Sequence, residues 1–165
     1  MRMKNANGGR VLLVSACLLG IPCRYSNDSR PNAAVKRLGE RYTLLPICPE
    51  VLGGLPTPRA PAERIGELVL NAEGRDVTEQ FRRGAEEALR IARKHGVTTA
   101  ILKARSPSCG KGERYDGTFS GKTVPMDGVT AELFRRNGIC IYTEEELEAG
   151  IPKLDGESQK NDTET

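Results

Sequence analysis

Three short apolar runs in this chain each lead into a cysteine, and that recurrence constrains the fold more than any other feature. Arg10-Val-Leu-Leu-Val-Ser-Ala16 ends at Cys17, Tyr42-Thr-Leu-Leu-Pro-Ile47 ends at Cys48, and Val97-Thr-Thr-Ala-Ile-Leu-Lys103 is closely followed by Cys109. Runs this short, with little alternation of polar and apolar residues, read as strands buried on both faces. Helical signals separate them. Ser29 to Gly39 supplies a start signal, a short apolar stripe and a glycine stop. Glu79 to His95 places Phe81, Ala85, Ala88, Leu89 and Ala92 on one stripe, with Glu79/Arg83 and Glu86/Arg90 at i,i+4 spacing on the other side, and Gly96 ends it. A helix from Asp127 to Asn137, a last strand from Gly138 to Tyr142 and a short acidic helix from Thr143 to Ala149 complete the pattern. Strands joined through helices imply right-handed crossovers, and hence a single-domain α/β sandwich with a mostly parallel sheet.

The intervening segments read less regularly. Pro49 to Gly66 contains Gly53-Gly54, Pro56, Pro58 and Pro61 and is expected to be a proline-stiffened loop. Ile65 to Leu70 is expected to form a short strand, Asn71 to Gly74 a turn, and Glu113 to Thr123 a glycine-rich hairpin-like loop. The expected organisation is a frayed leader over residues 1–9, one domain over 10–149 and a disordered acidic tail over 150–165. A length of 165 residues suits one core.

Composition narrows the partners. Aromatics make up 4% of the chain and Trp is absent, so a stacking platform for nucleic acid is not expected. No apolar run reaches membrane-spanning length. The last 22 residues carry eight Asp or Glu and two Lys, which leaves the rest of the chain more basic than the overall net charge of +3 and compatible with an anionic or nucleotide-like ligand.

Five cysteines, an odd number, argue against a closed disulfide framework and for a reducing, cytoplasmic setting in which thiols serve as ligands, nucleophiles or core residues. Val14-Ser15-Ala16-Cys17 looks like a lipoprotein cleavage box, but only Val11 to Val14 precede it without a break, far short of a signal h-region. In open α/β sheets ligands gather outside the carboxyl ends of the strands, so Cys17, Cys48 and Cys109 are expected to meet at one site. Zinc is disfavoured because no C-x2–4-C knuckle exists, and the same absence disfavours a thiol-disulfide redox enzyme. His95, at a helix end, reads as a dipole partner and not a ligand. Dispersed soft thiolates suit an iron-sulfur cluster, and three ligands to a four-iron cluster leave one iron open to substrate.

Gly20, Gly53, Gly54, Gly110 and Gly112 beside these thiols are expected to let backbone amides approach sulfur, and Arg24, Arg59, Lys103 and Arg105 to offset the negative charge of a ligated cluster. Cys23 is assigned a structural or protective role, with a fourth ligand as the alternative, and Cys140 reads as a core thiol. Glu50 and Ser106 flank the thiols as candidate proton-handling groups, against the simpler readings of a loop-capping carboxylate and a turn hydroxyl.

At these residues the chain also resembles a known family. Ser15-Ala-Cys-Leu-Leu-Gly20, Cys23-Arg-Tyr25, Cys48-Pro-Glu-Val-Leu-Gly-Gly54 with Pro58-Arg59, Gly74-Arg-Asp-Val-Thr78, Ser106-Pro-Ser-Cys-Gly110, Tyr115-Asp-Gly117 and Gly128-Val-Thr130 are similar to the motifs of the thiouracil desulfidase (TudS) family, over roughly residues 11 to 147. The resemblance implies a Rossmann-like fold and a 4Fe-4S cluster on Cys17, Cys48 and Cys109 whose fourth iron receives a thiocarbonyl sulfur. It implies non-redox, hydrolytic removal of sulfur from 2-thiouracil or a related base, leaving uracil and sulfide. Glu50 then corresponds to a catalytic carboxylate that activates water or relays protons, and Ser106 to an active-site serine that orients the ring or assists transfer. After Tyr25 the family usually continues with Asp-Gly, where this chain has Ser26-Asn27 and then Asp28. The short acidic tail, in place of the further domain of relatives acting on thiolated tRNA, points to a free base or nucleoside as substrate, and the cofactor implies the iron-sulfur assembly machinery as a partner. A reading from another class is a non-catalytic iron-sulfur or sulfur carrier using the same thiols.

Overall fold

In the computed structural model, which describes residues 10–149, the first apolar run forms β1 (Val11–Ser15) and every one of its residues is buried. The expected leader over 1–9 and tail over 150–165 lie outside the described residues. The second run forms β2 (Thr43–Ile47), the third forms β5 (Thr99–Leu102), and β8 (Cys140–Thr143) closes the set. These four strands make one parallel sheet in the order β2-β1-β5-β8, with Ser15 opposite Ile47, Val14 opposite Ile101 and Leu102 opposite Thr143. Counted along the chain, that is the second, first, third and fourth parallel strand, the doubly wound order that reverses direction beside its first strand. The expected Rossmann-like α/β sandwich is the observed one.

The period of two in β1 sends its side chains to two separate cores. Leu13 joins Ala100 and Leu102 against Ala88, Ala92 and Phe134, while Leu12 and Val14 join Ile101 against Leu18, Val35 and Tyr42. The first core lies under α3 (Thr78–Lys94) and α4 (Val129–Arg136), and the second under α1 (Ala33–Arg37) and α5 (Glu144–Glu148). In α3 the whole anticipated stripe is buried, together with Gly84. The helix opens where Asp76 Oδ1 accepts the Thr78 amide at 2.9 Å, and His95 takes the C-cap. A reciprocal capping box of Thr143 and Glu146 opens α5.

Three segments depart from the sequence reading. The stretch expected to be loop begins with α2 (Pro49–Leu52), in which Cys48 is the N-cap and Pro49 the first helical residue, a position where the missing N–H costs nothing. The single strand expected over Ile65 to Leu70 is a hairpin, β3 (Ala62–Ile65) against β4 (Leu68–Asn71), turned at Gly66. Charged Glu63 and Arg64 conceal β3 in the sequence, yet both are buried: Glu63 accepts the Gly117 and Phe119 amides at 3.0 Å each, and Arg64 donates to Glu132 at 2.7 Å. The first helix starts three residues later than a cap at Ser29 suggests because the Asn32 side chain, and not Ser29, caps the Val35 amide. The expected hairpin is present as β6 (Arg114–Tyr115) and β7 (Thr123–Val124). Among the described residues no helix is long and apolar enough to cross a membrane.

Candidate active site

β2, β1 and β5 are neighbours in the sheet, and each delivers one cysteine just past its carboxyl end. Cys17 lies in the 3-10 turn Ala16–Leu19, Cys48 caps α2, and Cys109 sits in the loop after β5. All three line one cavity of about 140 Å³, joined there by Cys23, Glu50 and Ser106. Strands in a sheet lie about 4.8 Å apart, so the sheet sets the spacing of the segments that carry Cys17 and Cys48, while the loop after β5 brings Cys109 to them.

The backbone around each thiol is fixed locally. The Cys17 carbonyl accepts the Arg30 amide at 2.9 Å, and the Cys48 carbonyl accepts the Leu52 amide at 2.9 Å. Ser106 Oγ accepts the amides of Ser108 and Cys109 at 3.1 and 3.0 Å, so this hydroxyl shapes the loop that carries Cys109. Gly110 follows because no side chain fits: a Cβ there would lie 2.5 Å from the Glu113 carbonyl oxygen and 2.7 Å from that of Ser106. Gly53 has a different role from the one expected. It presses on α3, where its Cβ would overlap the Gln80 carbonyl, and a Cβ on Gly84 would overlap the Pro49 carbonyl. Two glycines thus bring α2, with Cys48 and Glu50, into backbone contact with α3.

Burial pushes the Cys109 thiol up to about 12, against hydrogen bonds from Ser15 and Ser108. Cys48 is raised by its hydrogen bond with Cys23 and then by burial, and its Sγ donates to the Cys23 carbonyl at 3.7 Å. Cys23 is raised by a hydrogen bond with Cys17, which outweighs the opposing one with Cys48. Cys23 therefore stands among the strand-end thiols.

Among the described residues no three or more His, Cys, Asp or Glu side chains are grouped to hold a metal ion. Cys23 already contacts Cys17 and Cys48, but these thiols come from separate segments and no C-x2–4-C knuckle pairs them as in a structural zinc site. A polynuclear cluster instead gives each thiolate its own iron and spreads the ligands apart. Soft donors converging on one cavity from separate strands fit that second kind of group.

Glu50, in the first turn of α2, is the acid of the cavity. Its carboxyl is raised by burial and pulled back by Arg59, whose Nε donates to Oε1 at 3.0 Å. The Arg59 side chain is 6% exposed and also donates to Cys23 O at 2.9 Å, Pro56 O at 3.1 Å and Thr57 Oγ1 at 3.0 Å. One guanidinium joins α2, the Cys23 loop and the proline loop. The other cations expected to serve the thiolates reach the cavity already paired: Arg24 with Asp28 at 2.9 Å, Lys103 with Glu144 at 3.0 Å and Arg105 with Glu145 at 2.6 Å. Asp28 is held below the usual carboxylate range by Ser26, Arg24 and Arg30.

Outside the cavity, Cys140 lies in β8 but is half-buried, less enclosed than a core thiol, and His95 lies at the end of α3. Sequence reasoning passed over Ser15, whose Oγ accepts the Lys103 amide at 3.0 Å and ties β1 to the end of β5. It also passed over buried Glu144, which accepts the Ala104 amide at 2.7 Å, and over Tyr25 and Tyr115 in the cavity wall. The position of Ser15 just ahead of Cys17 was the available signal for the first, whereas nothing in the acidic run distinguishes Glu144 from Glu145.

Comparison with known proteins identifies relatives of this chain. A family model described as 2-thiouracil desulfurase matches residues 12–146. The chain is 44% identical over 147 residues to the protein YbbK of Bacillus subtilis (strain 168), covering 83% of this chain and 97% of YbbK. It is similar to a solved structure of TudS, a [4Fe-4S]-dependent thiouracil desulfidase, with a TM-score of 0.79 and 47% sequence identity, over 84% of this chain and 93% of that one.

Proposed function

Because this chain belongs to the 2-thiouracil desulfurase family, we propose that it is a [4Fe-4S]-dependent desulfidase that hydrolyses the thiocarbonyl of a 2-thiouracil-like base or nucleoside. The reaction exchanges sulfur for oxygen without redox change: a C–S bond breaks, a C–O bond to the oxygen of one water forms, and sulfur leaves as sulfide with the protons that water supplies. The observation that carries this reading is the placing of Glu50, desolvated and held by Arg59, in the same cavity as three strand-end thiols. A carrier needs the thiols but has no use for that acid.

Cys17, Cys48 and Cys109 would hold the cluster, which when bound supplies a thiophilic iron with no protein ligand. The remaining work falls to the chain. Glu50 takes a proton from water or passes one to the departing sulfur. Ser106, with its oxygen engaged by two amides, has its hydroxyl proton available to the ring of the substrate. Tyr25 and Tyr115 bound the cavity in which that ring is held. Five free cysteines suit a reducing cytoplasm, where iron-sulfur assembly machinery would load the cluster.

The test is anaerobic reconstitution followed by iron and sulfide analysis, then loss of 2-thiouracil absorbance and release of sulfide. Glu50→Ala should keep the cluster and lose turnover. A cluster-loaded protein that leaves a broad panel of thiolated bases and nucleosides unchanged would overturn the proposal.

A further inference from the structure

Glu50 and Arg59 line two cavities. In front is the thiol-lined cavity of about 140 Å³, and behind lies a second one of about 350 Å³ bounded by Leu55, Ala60, Ala62, Val77 and Gln80 as well as the same ion pair. The pair is therefore a partition with one face on the thiols and the other on a larger space. Part of the rear wall is rigid, since Leu55, Ala62 and Val77 pack with buried Val69 and Phe81 in a core of their own.

The polar groups at this partition have capacity left over. Glu50 Oε1 accepts from Arg59, whereas Oε2 makes no hydrogen bond among the described residues. The Gln80 carboxamide likewise has no hydrogen-bond partner among the described residues. The glycine contact that seats α2 on α3 holds the backbone from which this side chain springs, because Gly53 lies directly against the Gln80 backbone carbonyl. An amide with a free donor and acceptor and a carboxylate with a free oxygen, on the wall of one cavity, are the partners an ordered water requires.

Hydrolysis consumes one water in each turnover, and a substrate seated in the front cavity of about 140 Å³ takes up the space beside the thiols. We propose that the rear cavity supplies water to Glu50, with Gln80 as the positioning residue that orients it, while the thiolated substrate enters from the front. This rests on the desulfidase reading above. The water gives its oxygen to the carbon and its two protons to the departing sulfide, directly or through Glu50, so the route needs no oxidant or reductant.

The experiment compares wild type, Ala60→Phe, which fills the rear cavity, and Gln80→Leu, which removes its amide, all as cluster-loaded enzymes acting on 2-thiouracil. The expected result is a kcat lowered at least tenfold with KM within twofold of wild type and an unchanged cluster absorption spectrum. Gln80→Glu, which keeps an acceptor for water, should recover part of the loss. If Ala60→Phe does not fold, Ala60→Leu takes its place, and Gln80→Leu tests the proposal without altering packing at Ala60. Wild-type kcat in the folded variants overturns the water route, as does a raised KM with unchanged kcat, which would make the rear cavity a substrate pocket. Failure of the wild-type holoenzyme to release sulfide overturns the desulfidase reading itself, so the two failures are distinguishable.

Discussion

Arg59 Nε lies 3.0 Å from Glu50 Oε1, in an ion pair whose side chains are 6% and 17% exposed. The pair is shielded enough for its loss to matter. Removing one partner of a buried pair strands the other, typically at a cost of about 3–5 kcal/mol. Arg59→Met should lower stability toward that range, measured by denaturant unfolding. It should also disturb the Cys23 loop, because Cys23 O loses its 2.9 Å donor. Arg59→Lys keeps the charge but not the fork and should restore only part of the stability.

The contact between α2 and α3 admits no side chain at Gly53 or Gly84. Gly84→Ala has to push α2 off the helix beneath it, and overpacking of this kind costs about 1–3 kcal/mol. Because α2 follows directly on Cys48, the shift moves a thiol. The expected outcome is a lower melting temperature together with a lower iron content after reconstitution, while Gly39→Ala, where a Cβ would meet only the Leu44 side chain at 3.5 Å, leaves iron content unchanged.

Ser106 has a structural duty beside its proposed chemical one. Ser106→Ala removes the acceptor for the Ser108 and Cys109 amides, a loss comparable to that of a helix cap, about 1 kcal/mol. It should make the cluster more labile on exposure to air, followed by bleaching of its visible absorbance, whereas Ser106→Thr retains the acceptor and should be nearer wild type.

Asp76 gives a pH-dependent test. The side chain and then the amide of Thr78 hold its carboxyl below the usual value of 3.8. A depressed folded value means that the stabilisation is fully present above the unfolded pKa and disappears as pH falls through the folded one. Asp76→Ala should therefore melt below wild type at pH 7, with a gap that closes in acid below the ordinary aspartate range.

The strands that build the site are legible because β1, β2 and β5 are short apolar runs, and the rule that ligands collect at the ends of parallel strands predicts the meeting of Cys17, Cys48 and Cys109 in one cavity. β3 was hidden because its Glu63 and Arg64 are buried through partners far along the chain. α2 was hidden because its four residues begin with a proline and run straight into a pair of glycines. Pairings such as Arg105 with Glu145, 40 residues apart, have no local signature. For the same reason Arg59 reads in the sequence as a charge that offsets a ligated cluster, whereas in the fold it is paired with Glu50 and ties three segments together, and Gln80 gives no signal at all.

β1 runs between β2 and β5, and each of the three carries one thiol at its end, so no continuous stretch of the chain holds the set of ligands. A cluster on these thiols is a cross-link among three segments that an unfolded chain lets drift apart. It would shrink the conformational freedom of the denatured ensemble much as a disulfide does. Global unfolding of the holoprotein would then have to release the cluster, so loss of the sheet would carry loss of the colour with it.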